Sequence, residues 1–411
     1  NSGIDVNINR DERTLFAHEA GYVFEFLHRD WPAIESELRK HGLMDSFDEI
    51  GETGSEENPA RNKIIIGFRS EASINVLTHV ACSWYEATSD RMEREQIPAD
   101  IAEAQACSLS RFTTPKWVMK AMPTSPGHFL ETDRPKVAIL RASGSNGHPE
   151  MAAMCIKAGM DPHDVHVNDL CRGTCGLSEF DGLFLVGGFA DMDAGGSAVG
   201  WAARMLFNAT AWSELEAFRN RLGTMCYGVC NGDQAGTLLG LVPGKSFARK
   251  NAGVNLGIRM DHNDSGRFEA RVVYVRVEDS PAIMYRGMPG SILPSIAAHG
   301  EGKFSFADAH ALDVIEKAGL VALRYCLPNG ELANGRYPWN PNGSPNDIAG
   351  LTDESGHVLL TMPHCERLTR PETVPWFPGK GASGTLVESP WLPMFENAAR
   401  HLRLMRQDRR G

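Results

Sequence analysis

The chain has 411 residues, 42% hydrophobic and 23% charged, the balance of an ordinary globular protein with two or three domains. Its net charge of -11 argues against non-specific nucleic-acid binding, which relies on clustered Lys and Arg. No apolar run approaches the roughly 20 residues of a membrane helix, so no membrane partner is expected.

The N-terminus, Asn1-Ser2-Gly3-Ile4-Asp5, has neither the basic region nor the apolar core of a secretory signal, and it lacks a starting Met, as an engineered or proteolytic piece or one part of a longer polypeptide would. Ala33 to Leu43 has helical periodicity through Ile34, Leu38 and Leu43. Gly51 to Asn62 is polar and reads as a loop, Lys63 to Phe68 as a buried strand, and Ser73 to Arg94 as a helix with Val76, Val80 and Trp84 along one side. Pro123 to Pro135, with three Pro and a Gly, reads as a linker.

After the linker, strands and helices alternate. Lys136 to Leu140 is a strand, followed by the Gly-rich turn Gly144 to Gly147 and a helical run from Pro149 to Gly159. Strands at Asp164 to Val167 and Gly182 to Val186 precede helices at Ala198 to Asn208 and Trp212 to Arg221, then a strand at Thr224 to Val229. Further strands fall at Glu269 to Glu278, Leu320 to Tyr325 and His357 to Met362, and the basic tail Arg400 to Arg410 is the solvated end of a last helix. The alternation predicts an α/β fold with a doubly wound, mostly parallel sheet.

Nine cysteines with irregular spacing suit a reducing, cytoplasmic setting better than a disulfide framework. Cys82, Cys107, Cys155, Cys226 and Cys326 read as small core residues, and Cys171 with Cys175 lacks the second pair a zinc site needs. No metal is expected in this chain.

Cys230 differs. It sits in Gly228-Val229-Cys230-Asn231-Gly232, after an apolar strand and before the helical run Ala235 to Leu241. This is the thiol form of a nucleophile elbow: small neighbours tolerate a strained central residue, and the helix start offers free N–H groups to a thiolate and an oxyanion. Taken alone, the motif also fits a buried thiol in a Gly-rich turn. A thiol nucleophile needs a base held by a third group. His364 and Glu366, two apart at the end of the His357 to Met362 strand, point the same way and could supply both. A Gly187-Gly188-Phe189 strand end offers further backbone N–H groups.

A Gly-Gly strand end, a G-x-C-x-G elbow and a His-x-Glu pair, in that order, resemble the class I glutamine amidotransferase domain. Leu140-Arg141 leading to Asn146-Gly147-His148, Arg267-Phe268-Glu269, His299-Gly300-Glu301-Gly302, Asn340 to Ser344 and Met362-Pro363-His364-x-Glu366-Arg367 narrow the likeness to the glutaminase domain of large-type phosphoribosylformylglycinamidine synthases, from about residue 135 onward. Leu15 to Glu19 and Trp84 to Ser89 resemble the end of the synthetase region of those enzymes. The implied organisation is a flavodoxin-like glutaminase domain over 135–411, a helical connector and linker over 73–134, and over 1–72 a partial α+β remnant of an aminoimidazole-ribonucleotide-synthetase-like domain.

The resemblance implies that Cys230, His364 and Glu366 hydrolyse glutamine through a γ-glutamyl thioester, with the oxyanion held near Gly188, Phe189 and Asn231. It places Gln234, His299, Asn342 and Ser344 near the glutamine site or the domain contact. It implies that the ammonia passes to the synthetase region of the same polypeptide or of a separate chain. There ATP and Mg2+ would convert formylglycinamide ribonucleotide to formylglycinamidine ribonucleotide, in purine synthesis. The chain departs from the family at Ala190 to Asp193, where Ser-Tyr-Gly-Asp is usual, at Cys365, where Pro is usual, and at Ala142 to Ser145, where Glu-Gln-Gly is frequent. Two rivals stay open: a peptidase-like cysteine hydrolase on the same fold, and a catalytically silent homologue acting as a scaffold or interaction module.

Overall fold

The structure is a computed structural model that describes residues 4–7, 28–44, 51–53, 63–67, 73–77, 95, 98–110, 117–123, 133–370, 373 and 388–408. The chain divides into two compact units, Asn1–Gln96 and Ile97–Gly411. Cys82, Leu15 to Glu19, Trp84 to Ser89, and the middle of the Pro123 to Pro135 linker lie outside the described residues, as does the side chain of Cys107.

The first unit contains strands β1 (Ile4–Asn7), β2 (Gly51–Thr53), β3 (Lys63–Gly67) and β4 (Ser73–Leu77), in the order β2-β1-β3-β4. Helix α1 (Trp31–Lys40) has Pro32 in its first turn, carries Arg39 and Lys40 in its last turn, and buries none of its residues. Two expectations are corrected here. Residues 73–77 form a strand, not the start of a helix, because Ile74 and Val76 alternate and pair with Ile66 and Ile64 of β3. Gly51–Thr53 is an edge strand rather than loop, paired with β1.

The second unit opens with α2 (Ala99–Ser110). Then come β5 (Lys136–Arg141), α3 (His148–Lys157), β6 (Asp161–His166), α4 (Val167–Arg172), β7 (Gly182–Leu185), α5 (Val199–Leu206), α6 (Ala209–Asn220), β8 (Met225–Val229), α7 (Asn231–Leu238) and α8 (Lys245–Lys250). They are followed by β9 (Arg259–Asp261), β10 (Glu269–Val277), β11 (Ile292–His299), β12 (Lys303–Ser305), α9 (Ala309–Lys317), β13 (Val321–Cys326), β14 (Ile348–Thr352), β15 (Val358–Thr361) and α10 (Leu392–Asp408).

Nine of these strands form one sheet, ordered β11-β10-β13-β14-β15-β8-β7-β5-β6 among the described residues. Neighbours from β6 to β15 run parallel, and those from β15 to β11 run antiparallel. The parallel half is the expected doubly wound core; its central strands β7 and β8 are buried at every position, whereas the edge strand β6 is half-buried. Phe184 of β7, Tyr227 of β8 and Phe395 of α10 meet edge to face, with centroids 5.7 and 5.9 Å apart for the pairs Phe184–Tyr227 and Tyr227–Phe395. This packs α10 onto the sheet, and the basic tail as far as Asp408 is the last turns of that helix, where Arg406 donates to the Arg134 carbonyl. Among the described residues, no helix is long and apolar enough to cross a membrane.

Candidate active site

Strand β8 ends at Val229, and α7 begins at Asn231, four residues before the expected start. Cys230 is the single residue between them, with φ 54° and ψ -112°, a conformation that strains any side chain bearing a Cβ. Its N–H extends the ladder to the Thr361 carbonyl at 2.9 Å, which fixes the turn to β15. The two flanking glycines are steric necessities. A Cβ on Gly232 would run into the Leu185 carbonyl oxygen of β7, and one on Gly228 would lie 2.7 Å from the Gly232 carbonyl. The Cys230 thiol is buried and donates to the Ala298 carbonyl at 3.5 Å, at the end of β11.

His364 follows β15 after two intervening residues, Met362 and Pro363. Its N–H donates to the Ile296 carbonyl at 2.7 Å, so β11, at the far end of the sheet order, bridges back to the turn that carries the histidine. His364 and Glu366 are both fully buried, with Nδ1 2.5 Å from the Glu366 Oε1. The carboxylate accepts from Nδ1–H, which leaves Nε2 as the proton-exchanging nitrogen. That nitrogen is buried and, among the described residues, meets no partner other than Cys230. Burial works to lower the His364 pKa, but the charges of Glu366 and Cys230 and their hydrogen bonds outweigh it and hold the ring up at about 9. The protonated imidazole is therefore favoured, between a carboxylate and the sulfur.

The Gly-Gly turn abuts this pair. A Cβ on Gly187 would lie 2.5 Å from the His364 Cε1, and Gly188 has φ 145°. The loop at Ala142 to Ser145, one of the departures, zips onto the turn: Asn146 and Gly147 both donate to the Gly187 carbonyl at 3.1 Å, and Phe189 donates to the Gly144 carbonyl at 3.0 Å. Phe189 was expected among the oxyanion donors; its N–H is committed to Gly144, and its ring is half-exposed against Phe268. The N–H groups of Gly188 and of Asn231, the first residue of α7, have no such protein acceptor among the described residues.

The Asn231 side chain ties the turn to the elbow. Its Oδ1 accepts from Ala190 N–H at 3.0 Å, and its Nδ2 donates to Gln234 at 2.9 Å and to Asp193 at 3.4 Å. Asp191, Met192 and Asp193 all have positive φ, so the departing loop is strained and held by these contacts and by the Asp191–Arg204 ion pair.

The four remaining expected residues separate. Gln234 is buried, and its Nε2 donates to the Glu301 carbonyl at 2.5 Å. Asn342 donates to the Gly302 carbonyl at 2.7 Å and the Tyr325 hydroxyl at 3.1 Å, and accepts from the Ser344 N–H and hydroxyl. Ser344 accepts from Phe304 N–H at 3.0 Å. Asn342 and Ser344 thus brace residues 302–304. His299, which ends β11, hydrogen-bonds Asn263 at 3.1 Å. Asn263 and the Ala298 carbonyl carried no sequence signal, since neither lies in a recognisable motif. No group of three His, Cys, Asp or Glu is placed to hold a metal among the described residues, and Cys171 and Cys175 donate to backbone carbonyls.

Residues 134–402 match the family model described as the CobB/CobQ-like glutamine amidotransferase domain. The chain is 37% identical over 413 residues to the probable phosphoribosylformylglycinamidine synthase, chloroplastic/mitochondrial, of Arabidopsis thaliana, covering 97% of this chain and 28% of that protein. It is 37% identical over 409 residues to the phosphoribosylformylglycinamidine synthase of Homo sapiens, covering 96% of this chain and 30% of that one. The chain thus spans less than a third of the length of these curated relatives. A solved structure described as PurLQS from Thermotoga maritima is 21% identical, with a TM-score of 0.48, covering 66% of this chain and all of that chain.

Proposed function

The chain belongs to the CobB/CobQ-like glutamine amidotransferase domain family, and from that premise we propose that it hydrolyses glutamine with Cys230 as nucleophile, His364 as acid and base, and Glu366 as the group that orients the base. The observation that carries this is the meeting of a strained, buried Cys230 with a buried, ion-paired His364 whose pKa its neighbours hold at about 9. The Cys230 thiolate attacks the carboxamide carbon of glutamine. The N–H groups of Gly188 and Asn231 hold the resulting oxyanion. His364 gives its Nε2 proton to the departing nitrogen; the C–N bond breaks, ammonia leaves, and a γ-glutamyl thioester remains. Water then attacks the thioester while His364 takes its proton. The thiolate departs, and glutamate is released. Glu366 keeps the imidazole in one tautomer and stabilises its charged form throughout.

The likeness to phosphoribosylformylglycinamidine synthases over nearly the whole chain supports a wider reading. The ammonia serves a synthetase region, where ATP and Mg2+ drive conversion of formylglycinamide ribonucleotide to its amidine. The seven described cysteines are all free, which suits a reducing, cytoplasmic compartment.

A glutamine-like chloroketone tests the glutaminase reading. Mass spectrometry is expected to find a single adduct on wild type and none on Cys230→Ala. Absence of the adduct in the full-length protein would favour the scaffold reading instead.

A further inference from the structure

His299 is 3% exposed and closes β11. Its Nδ1 lies 3.1 Å from the Asn263 Oδ1. The Asn263 amide is itself oriented, because its Nδ2 donates to the carbonyls of His299 at 2.7 Å and Arg267 at 3.0 Å. Its Oδ1 is therefore the acceptor, and it also receives the Gly302 N–H at 3.0 Å. An acceptor can meet Nδ1 only if Nδ1 carries the hydrogen. Burial, and then the charge of nearby His364, push the His299 pKa down to about 3, so the ring takes no second proton at neutral pH. Nε2 is thus a bare lone pair, buried without a partner among the described residues. Buried acceptors left unpaired are costly and rare.

The position of the ring indicates what it awaits. The carbonyl of the preceding residue, Ala298, receives the Cys230 thiol, and the backbone of His364 bonds to Ile296 on the same strand. His299 therefore stands at the reacting end of the site. His364 is the proton donor there and Cys230 the nucleophile, so neither takes a hydrogen bond from the amide nitrogen of glutamine.

We propose that His299 Nε2 accepts a hydrogen bond from the carboxamide NH2 of glutamine and holds that nitrogen until it leaves as ammonia. The inference rests on the glutaminase reading above. The contact selects amide over acid: the γ-carboxylate of glutamate has no hydrogen at that position and would set lone pair against lone pair. His299 does not compete with His364 for the proton, because it stays neutral.

A chloroketone analogue carries a carbonyl but no NH2, so it separates this contact from the rest of the site. In the full-length protein, His299→Asn keeps a donor towards Asn263 and removes the Nε2 acceptor. We expect kcat/KM for glutamine to fall roughly 10- to 100-fold, while the rate of Cys230 alkylation changes less than about 3-fold. His299→Gln, which can return an oxygen to the Nε2 position, should recover part of the loss. Turnover and alkylation falling together in both variants, or no loss of turnover in either, would overturn the proposal. Wild type that gains no adduct at Cys230 would instead sink the glutaminase reading beneath it.

Discussion

The parallel and antiparallel halves of the large sheet contribute to the site in different ways. The parallel half offers it the ends of its strands: the Gly187-Gly188 turn after β7, Cys230 after β8, and His364 after β15. Ligands of open parallel sheets gather beyond the strand ends for this reason. The antiparallel half reaches the same place sideways. It contributes the Ile296 and Ala298 carbonyls, the His299 ring, and the Asn342 and Ser344 braces. In the proposed mechanism, one half carries the reacting groups, and the other walls and orients them. Chemistry and its positioning can therefore be perturbed separately.

The largest break should come from the parallel half. Cys230→Ala should lower glutamine turnover by roughly 10^4-fold or more while the fold is kept, as a glutamate-release assay would show. Glu366→Gln keeps the shape and removes the charge, and turnover should fall roughly 10^2- to 10^4-fold. It should also change how stability depends on pH. The His364 pKa stands at about 9, above the ordinary 6.5, so its ion pair stabilises the fold fully below about 6.5 and that contribution is lost as pH rises through about 9. Thermal unfolding of wild type between these values should show the loss. In Glu366→Gln, burial dominates the ring, and this slope should vanish.

Gly232→Ala strikes the elbow where it packs against the Leu185 carbonyl. Denaturant unfolding should show a cost of about 3 kcal/mol, because backbone rather than a flexible side chain must yield. Asn342→Ala, in the antiparallel half, should cost about 1–2 kcal/mol, since the Gly302 carbonyl loses a donor and the Ser344 groups lose an acceptor. Its turnover should drop less than about 10-fold. A larger drop would mean that the antiparallel half does more than orient.

The halves also differ in how legible they are. β5, β7, β8 and β15 are short apolar runs bounded by glycines or polar turns, and β6 was placed a few residues late but in its right order. The Gly-x-Cys-x-Gly and His-x-Glu patterns stand at strand ends where local geometry alone brings them out. β10 and β13 were visible as apolar runs, whereas β11 and β14 were not. Pro294 interrupts β11, a residue tolerated because this is the edge strand of the sheet. β14 is five residues with a central Gly350, packed too closely against β15 for a side chain. The second layer of the site is built from bonds between residues far apart in the chain, such as Asn263 with His299 and Ala190 with Asn231. No local pattern announces such pairs. The commitment of the Phe189 N–H to Gly144 was hidden for the same reason, since it depends on a loop some 45 residues earlier.

The most direct test of the account is to trap the intermediate. Full-length protein is mixed with labelled glutamine, quenched in acid within the first turnovers and digested. The account predicts a γ-glutamyl label on the peptide that carries Cys230, absent from Cys230→Ala. Glutamate released with no label on that peptide, or with the label on another cysteine such as Cys226 or Cys365, would contradict it.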